Sequence, residues 1–267
     1  MDAAEAIAPL ESGYRSILER IVSLLEQDRR VRALWLAGSI GRGVADAGSD
    51  LDVVVTVTCR ADFADSTVWS CLDPVITQPI PGTPGCFAIT TREGLRVDVV
   101  VETPAHLGAT GYRDRVCVFD RDGLRVPMSR DDNRGPNVAL MQSIVTEFLR
   151  QSAIFPAAVV AREDWLLGQV AVHNYGLMLY ELFVESNQPL PPMGVKQWSS
   201  KLTMEQREIL TDLVPPRACR DEVMTAMVMM RNAISTNGRA VLESVGGVWP
   251  IEVDEAMRAY WDRHNLS

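Results

Sequence analysis

The sequence predicts an α+β protein of two domains. Residues 1–135 form a mixed sheet flanked by helices, and residues 136–267 form an all-helical bundle. Two observations carry this. The first half holds short apolar runs, several of them valine-rich, separated by turns of glycine, proline and aspartate, which is how strands read. Beyond the polar stretch Ser129-Arg130-Asp131-Asp132-Asn133-Arg134-Gly135-Pro136, apolar residues recur at three- and four-residue spacing, which is how packed helices read.

Taken in order, residues 11–28 form an amphipathic helix with Tyr14, Leu18, Ile21, Leu24 and Leu25 on one stripe. A strand over 31–37 runs into a short turn opening at Gly38-Ser39, and the chain returns as a strand over 50–57. Residues 62–71 have helical character. Residues 74–85, with four prolines and two glycines, form a loop with room for one short strand. Strands over 87–91 and 95–102 are joined at Arg92-Glu93-Gly94, and a strand over 116–119 is closed by the turn Asp120-Arg121-Asp122-Gly123. In the second half Leu140, Ile144 and Phe148 mark one helix. Leu166, Val170, His173, Leu177, Tyr180 and Val184 mark a longer one, the setting of a core histidine. Val223, Met227, Met230, Ile234 and Val241 mark a third, and 252–264 a fourth, with a proline-rich connection over 188–198.

With 47% hydrophobic and 23% charged residues the chain has a globular composition, and its net charge of −9 excludes a broad basic surface for nucleic acid. An acidic chain suits a small polar or cationic ligand better. The five cysteines, Cys59, Cys71, Cys86, Cys117 and Cys219, show no metal-ligand spacing and fit a reduced, cytoplasmic protein. The opening MDAAEAIAPLES lacks the pattern of a signal peptide, and no apolar run approaches the roughly 18 residues of a membrane span. No membrane partner is expected.

Three acidic residues can meet on one sheet. Asp50 and Asp52 point the same way from one strand because side chains alternate, and Asp98 stands among valines on another. Carboxylates side by side repel, so something positive is called for between them, most simply a hard cation such as Mg²⁺ taking carboxylate and phosphate oxygens. The loop ahead of them supplies the other half. Gly38 lets the backbone approach closely, Ser39 offers a hydroxyl and an N–H, and Arg42 balances triphosphate charge.

Gly38-Ser39, ten residues, then Asp50-Leu51-Asp52 resembles the Gly-Ser…Asp-x-Asp signature of the polymerase β-like nucleotidyltransferase superfamily. The fuller string, GSIGRG followed by SDLD, resembles the branch holding the aminoglycoside and lincosamide antibiotic nucleotidyltransferases. The resemblance implies a catalytic domain over residues 1–135 and a substrate-binding helical domain over 136–267. It implies attack by a hydroxyl of a small molecule on the α-phosphate of a nucleoside triphosphate, with ATP as the donor and Mg²⁺ as cofactor. Asp50, Asp52 and Asp98 are then both the catalytic and the metal-binding residues, and Gly38, Ser39, Arg42, Ser49 and Lys196 the nucleotide-binding ones. Glu102, on the same face as Asp98, is the alternative for the base, or else it ends its strand in solvent.

Other features read two ways. Lys196 and Trp198 offer a phosphate contact and a stacking surface, or a surface lysine and a packing tryptophan. Glu163-Asp164 is a helix-start acidic pair or a cation-binding one. The group Met224, Met227, Met229 and Met230 fills core. A toxin-type enzyme modifying a protein or tRNA, and a non-catalytic nucleotide-binding regulator, are the competing functions. The intact carboxylate cluster speaks against the regulator, since folding alone does not call for it.

Overall fold

The computed structural model describes residues 2–81, 83, 85–109, 111–126, 134–191, 193–194 and 196–266. The chain divides into two units, one of Met1–Asp131 with Pro192–Lys196, the other of Asp132–Pro191 with Gln197–Ser267. The division falls at 131/132, where the sequence suggested 135/136, and part of the proline-rich connection belongs to the first unit. Of the polar stretch 129–136, residues 129–133 lie outside the described residues.

The first unit holds helices α1 (Ala3–Ala6), α2 (Gly13–Leu25) and α3 (Gly38–Gly41). Its strands are β1 (Val31–Leu36), β2 (Leu51–Val57), β3 (Pro74–Pro79), β4 (Phe87–Thr91), β5 (Arg96–Glu102) and β6 (Val116–Asp120). They form one sheet of order β3-β4-β5-β2-β1-β6, in which β2 and β5 run parallel and every other pairing is antiparallel. The helical stretch expected over 62–71 is two 3₁₀ segments, Arg60–Phe63 and Ser66–Leu72. Leu51, Val53, Val55, Val97 and Val99 point to one face, where Ile17, Ile21 and Leu25 of α2 and Trp69 cover them. Each such buried aliphatic side chain contributes about 1.5–3 kcal/mol. The other face carries Trp35, Val54 and Val100. By the alternation of the strands, Asp52 and Asp98 lie on this second face.

The second unit is helical: α4 (Val138–Arg162), α5 (Trp165–Ser186), α6 (Met204–Asp212), α7 (Arg220–Ala233), α8 (Arg239–Ser244) and α9 (Ile251–Arg263). A π-helical turn, Ile234–Gly238, joins α7 to α8, so the third predicted helix is one helical path with an irregular turn. Asp164 caps α5 by accepting from Leu167 N at 3.0 Å, the helix-start role expected of the acidic pair. Met227 and Met230 are buried, whereas Met229 is exposed.

Two stripes read from the sequence face the core only in part: Phe148 is buried, and Ile144, Tyr180 and Val184 pack against the core. Leu140, Leu166 and Val170 are exposed, and so is His173. The buried faces are Met141, Val145, Phe148 and Leu149 on α4, and Ala171, Val172, Tyr175, Leu179 and Leu182 on α5. The reason is composition: both helices are apolar around much of their circumference, so several stripes satisfy the same spacing. For the same reason α4 is, against expectation, long and apolar enough to cross a membrane by length and composition. It is a core helix of this unit, buried against α5, α7 and α9.

Candidate active site

Asp52 and Asp98 are direct partners in the parallel β2–β5 ladder. Asp50 stands two residues before Asp52, at the mouth of the same strand. Its carboxylate takes an ion pair from Lys196 Nζ at 3.2 Å and lies 3.7 Å from Arg96, whose guanidinium is also 4.0 Å from Asp98. Arg96 is a site residue the sequence reading passed over. Its signal was available, since it sits two residues before Asp98 on the same strand face.

Gly38 closes the other side. Its φ is +58°, a conformation glycine adopts readily, and a β-carbon there would lie 1.7 Å from Asp52 Oδ2. Ala37 N donates to the Asp52 carbonyl at 2.9 Å, which fixes the end of β1 against the start of β2. Gly41 is a second close approach, where a β-carbon would lie 2.0 Å from the Asp114 carbonyl oxygen. Ser39 Oγ, Arg42 Nε and Asp98 Oδ1 are buried without a hydrogen-bond partner. Unpaired buried polar atoms are costly, so three of them in this region mark a place built for a polar ligand. Ser49 has its hydroxyl engaged already, donating to Asp46 Oδ1 at 3.1 Å in the turn before β2.

The electrostatics follow from this crowding. Burial pushes the Asp52 carboxyl up to about 6, with the charges of Asp50 and Asp98 adding to the rise, while a hydrogen bond from Tyr112 and the Arg42 charge oppose it. Burial also raises Asp98, against the pull of Arg96. Tyr112 donates its hydroxyl to Asp52 Oδ1 at 3.3 Å, and burial beside the carboxylates pushes it up to about 12, so it remains a donor. No sequence signal ties Tyr112 to a strand 60 residues earlier.

Glu102 is not at the carboxylate cluster. It is fully buried and paired with Arg115, whose Nη2 lies 3.0 and 2.9 Å from its two oxygens, and it accepts from Gly108 N at 3.2 Å. Arg115 in turn donates to the Tyr112 carbonyl. Glu102 therefore anchors the loop that carries Tyr112 to Asp52.

The donor set suits a hard divalent cation: carboxylates only, one oxygen of Asp98 without a partner, and a proton affinity at Asp52 raised by burial and then by its neighbours' charge. Among the described residues no three carboxylate, imidazole or thiol groups are drawn together closely enough to chelate an ion as they stand. Lys196 and Arg96 supply the positive charge beside Asp50 and Asp98 instead.

Residues 16–72, which span α2 to the second 3₁₀ segment and include Gly38, Ser39, Asp50 and Asp52, match the family model of the nucleotidyltransferase domain. That match identifies this stretch as part of a nucleotidyltransferase domain. No curated relative matches the sequence. Among solved structures, the chain is similar to an aminoglycoside 6-adenyltransferase from Bacillus subtilis, with 15% identity over 94% of this chain and 97% of that one, at a TM-score of 0.44. It is also similar to a nucleotidyltransferase-like protein from Exiguobacterium sibiricum 255-15, with 12% identity over 87% and 79% of the two chains and a TM-score of 0.32.

Proposed function

We propose that this protein is a nucleotidyltransferase that moves AMP from ATP onto a hydroxyl of a small polar or cationic molecule, of the aminoglycoside or lincosamide kind, with Mg²⁺ held by Asp50, Asp52 and Asp98. The observation that carries this is the pairing of Asp52 with Asp98 across adjacent parallel strands, with Asp50 on the same face and Gly38 pressed against Asp52. A divalent cation held by these carboxylates would supply charge neutralisation on the triphosphate. Ser39 Oγ, free of protein partners, donates to a phosphate oxygen, and Arg42 and Lys196 balance its charge. Asp98, whose raised carboxyl has one unpartnered oxygen, takes the proton of the attacking hydroxyl. An O–P bond forms at the α-phosphorus, the bond to the β-phosphate oxygen breaks, and pyrophosphate leaves. Proton removal contributes about 10²–10⁴-fold and positioning much of the remainder.

The acidic chain, net −9, supports a cationic acceptor over nucleic acid. All five cysteines are unpaired, which supports a reducing, cytoplasmic setting.

The test is incubation with labelled ATP, Mg²⁺ and a mixture of aminoglycosides and lincosamides, reading adducts by mass and pyrophosphate by coupled assay. Adduct formation that is lost in Asp50→Ala and Asp52→Ala supports the proposal. Adducts on protein or tRNA alone overturn the acceptor class, and activity unchanged in both variants overturns the site.

A further inference from the structure

The stripe of α5 that looked like core from the sequence has another use. His173, Leu177 and Tyr180 line a cavity of about 390 Å³ within the helical unit, of the size that holds a small organic molecule. We propose that this cavity is a small-molecule binding site for a flat, mostly apolar compound bearing one anionic group. The proposal is independent of nucleotidyl transfer and concerns a ligand unlike a polycationic antibiotic.

Four observations support it. One wall is an aromatic pair, Tyr180 and Trp198, stacked with centroids 4.1 Å apart and planes 13° apart, and held by Tyr180 donating to the Trp198 carbonyl at 3.3 Å. Trp198 is nevertheless 49% exposed, so its outer surface is available to a further ring. Most of the remaining lining is aliphatic, Leu202, Leu210 and Met230 among it.

The charge is one-sided. Arg207 and His173 line the cavity and no Asp or Glu does so, in a chain whose net charge is −9. Among the described residues the Arg207 guanidinium donates to the Leu202 carbonyl at 3.2 Å, which leaves further guanidinium donors for an anion. A polycation would meet Arg207 with nothing to neutralise it.

The third observation is Gly176, in the middle of α5 on the same wall. A β-carbon there would sit 3.5 Å from Met230 Cε, an ordinary contact, so no close approach by the protein requires glycine. Mid-helix glycine is less stable than alanine by roughly 1 kcal/mol. What the missing side chain leaves is room in the cavity. Finally, part of the lining is fixed before any ligand arrives, with Gln169 Nε2 of α5 donating to the Pro216 carbonyl at 2.7 Å. A pre-formed wall lowers the ordering cost of binding.

The experiment uses anilinonaphthalene sulfonate, an aromatic anion, and N-phenylnaphthylamine, its uncharged counterpart, titrated into the full chain by calorimetry without nucleotide or metal. The expected result is saturable one-to-one binding of the sulfonate. Arg207→Met weakens the sulfonate by about tenfold and the neutral compound by less than about twofold. Gly176→Leu, which fills the cavity, abolishes both. Should Gly176→Leu melt below the parent, His173→Trp fills the same space from an exposed position. Sulfonate binding that survives a folded cavity-filling variant, or kanamycin displacing the sulfonate from the parent but not from Arg207→Met, overturns the proposal. Neither readout involves transfer activity, so failure here leaves the proposed reaction standing, and failure of the reaction leaves this site standing.

Discussion

Gly38 and Asp52 meet where no side chain fits between them: a β-carbon on Gly38 would lie 1.7 Å from Asp52 Oδ2. Gly38→Ala therefore forces either the carboxylate or the turn to move, in addition to placing a β-carbon at φ +58°. Displacing a reacting group by about 1 Å costs on the order of 10² in rate. We expect at least that loss in pyrophosphate release, with a fall in stability of about 1–2 kcal/mol by urea titration.

The raised carboxyl of Asp52 makes the metal-free protein sensitive to pH. The folded chain holds this proton up to about 6, whereas an unfolded aspartate releases it near the ordinary value of 3.8. Between those values the folded state binds more protons than the unfolded, so this group's contribution to stability falls as pH rises through the window, by about 2–3 kcal/mol in all. In chelator, Asp52→Asn should melt above the parent at about pH 8 and level with it at about pH 4. Thermal melts across that range decide it. Equal Tm differences at both ends would show that Asp52 is not the titrating group.

Asp98 and Glu102 lie on one strand face and should fail in different ways. Removing the Glu102 charge leaves Arg115, 2% exposed, without its counter-ion. Breaking such a pair costs about 3–5 kcal/mol. Glu102→Gln should be strongly destabilised in urea, yet turn over near normally per folded molecule at low temperature. Asp98→Asn should fold normally and lose about 10²-fold in kcat. The reverse pattern would make Glu102 the base.

Lys196 pairs with Asp50 at 3.2 Å while remaining 56% exposed. An exposed pair contributes at most about 1 kcal/mol, so Lys196→Met should melt within a few degrees of the parent. If its role is on the triphosphate, KM for the nucleotide rises by about tenfold with kcat little changed. A fall in kcat with KM unmoved would place the lysine elsewhere.

Much of the site was legible because its signals are local. The Gly38-Ser39 turn, the Asp50-Leu51-Asp52 alternation and the valine-flanked Asp98 each announce themselves within a few residues. What escaped depends on pairing between distant segments. Arg115 reaches Glu102 from 13 residues away and Tyr112 reaches Asp52 from 60, and no spacing in the chain encodes either contact. The helix α6 escaped for a different reason. It is short and polar, but Thr203 and Gln206 form a capping box that was there to be read. On α5 periodicity misled in part, because an apolar stripe lines a cavity as readily as it fills a core.

The in-register pairing of Asp52 with Asp98 has a further consequence. The separation of the two aspartate backbones is set by the spacing of hydrogen-bonded strands, about 4.8 Å, and their shared orientation by the parity of the chain. Shifting β5 by one residue would turn Asp98 toward the helix-covered face and bring a valine in its stead. A shift of two would set Arg96 or Val100 beside Asp52. The turn Arg92-Glu93-Gly94, remote from any reacting atom, governs where β5 begins. Lengthening it by a single residue would rewrite the carboxylate-bearing face without altering one of its side chains.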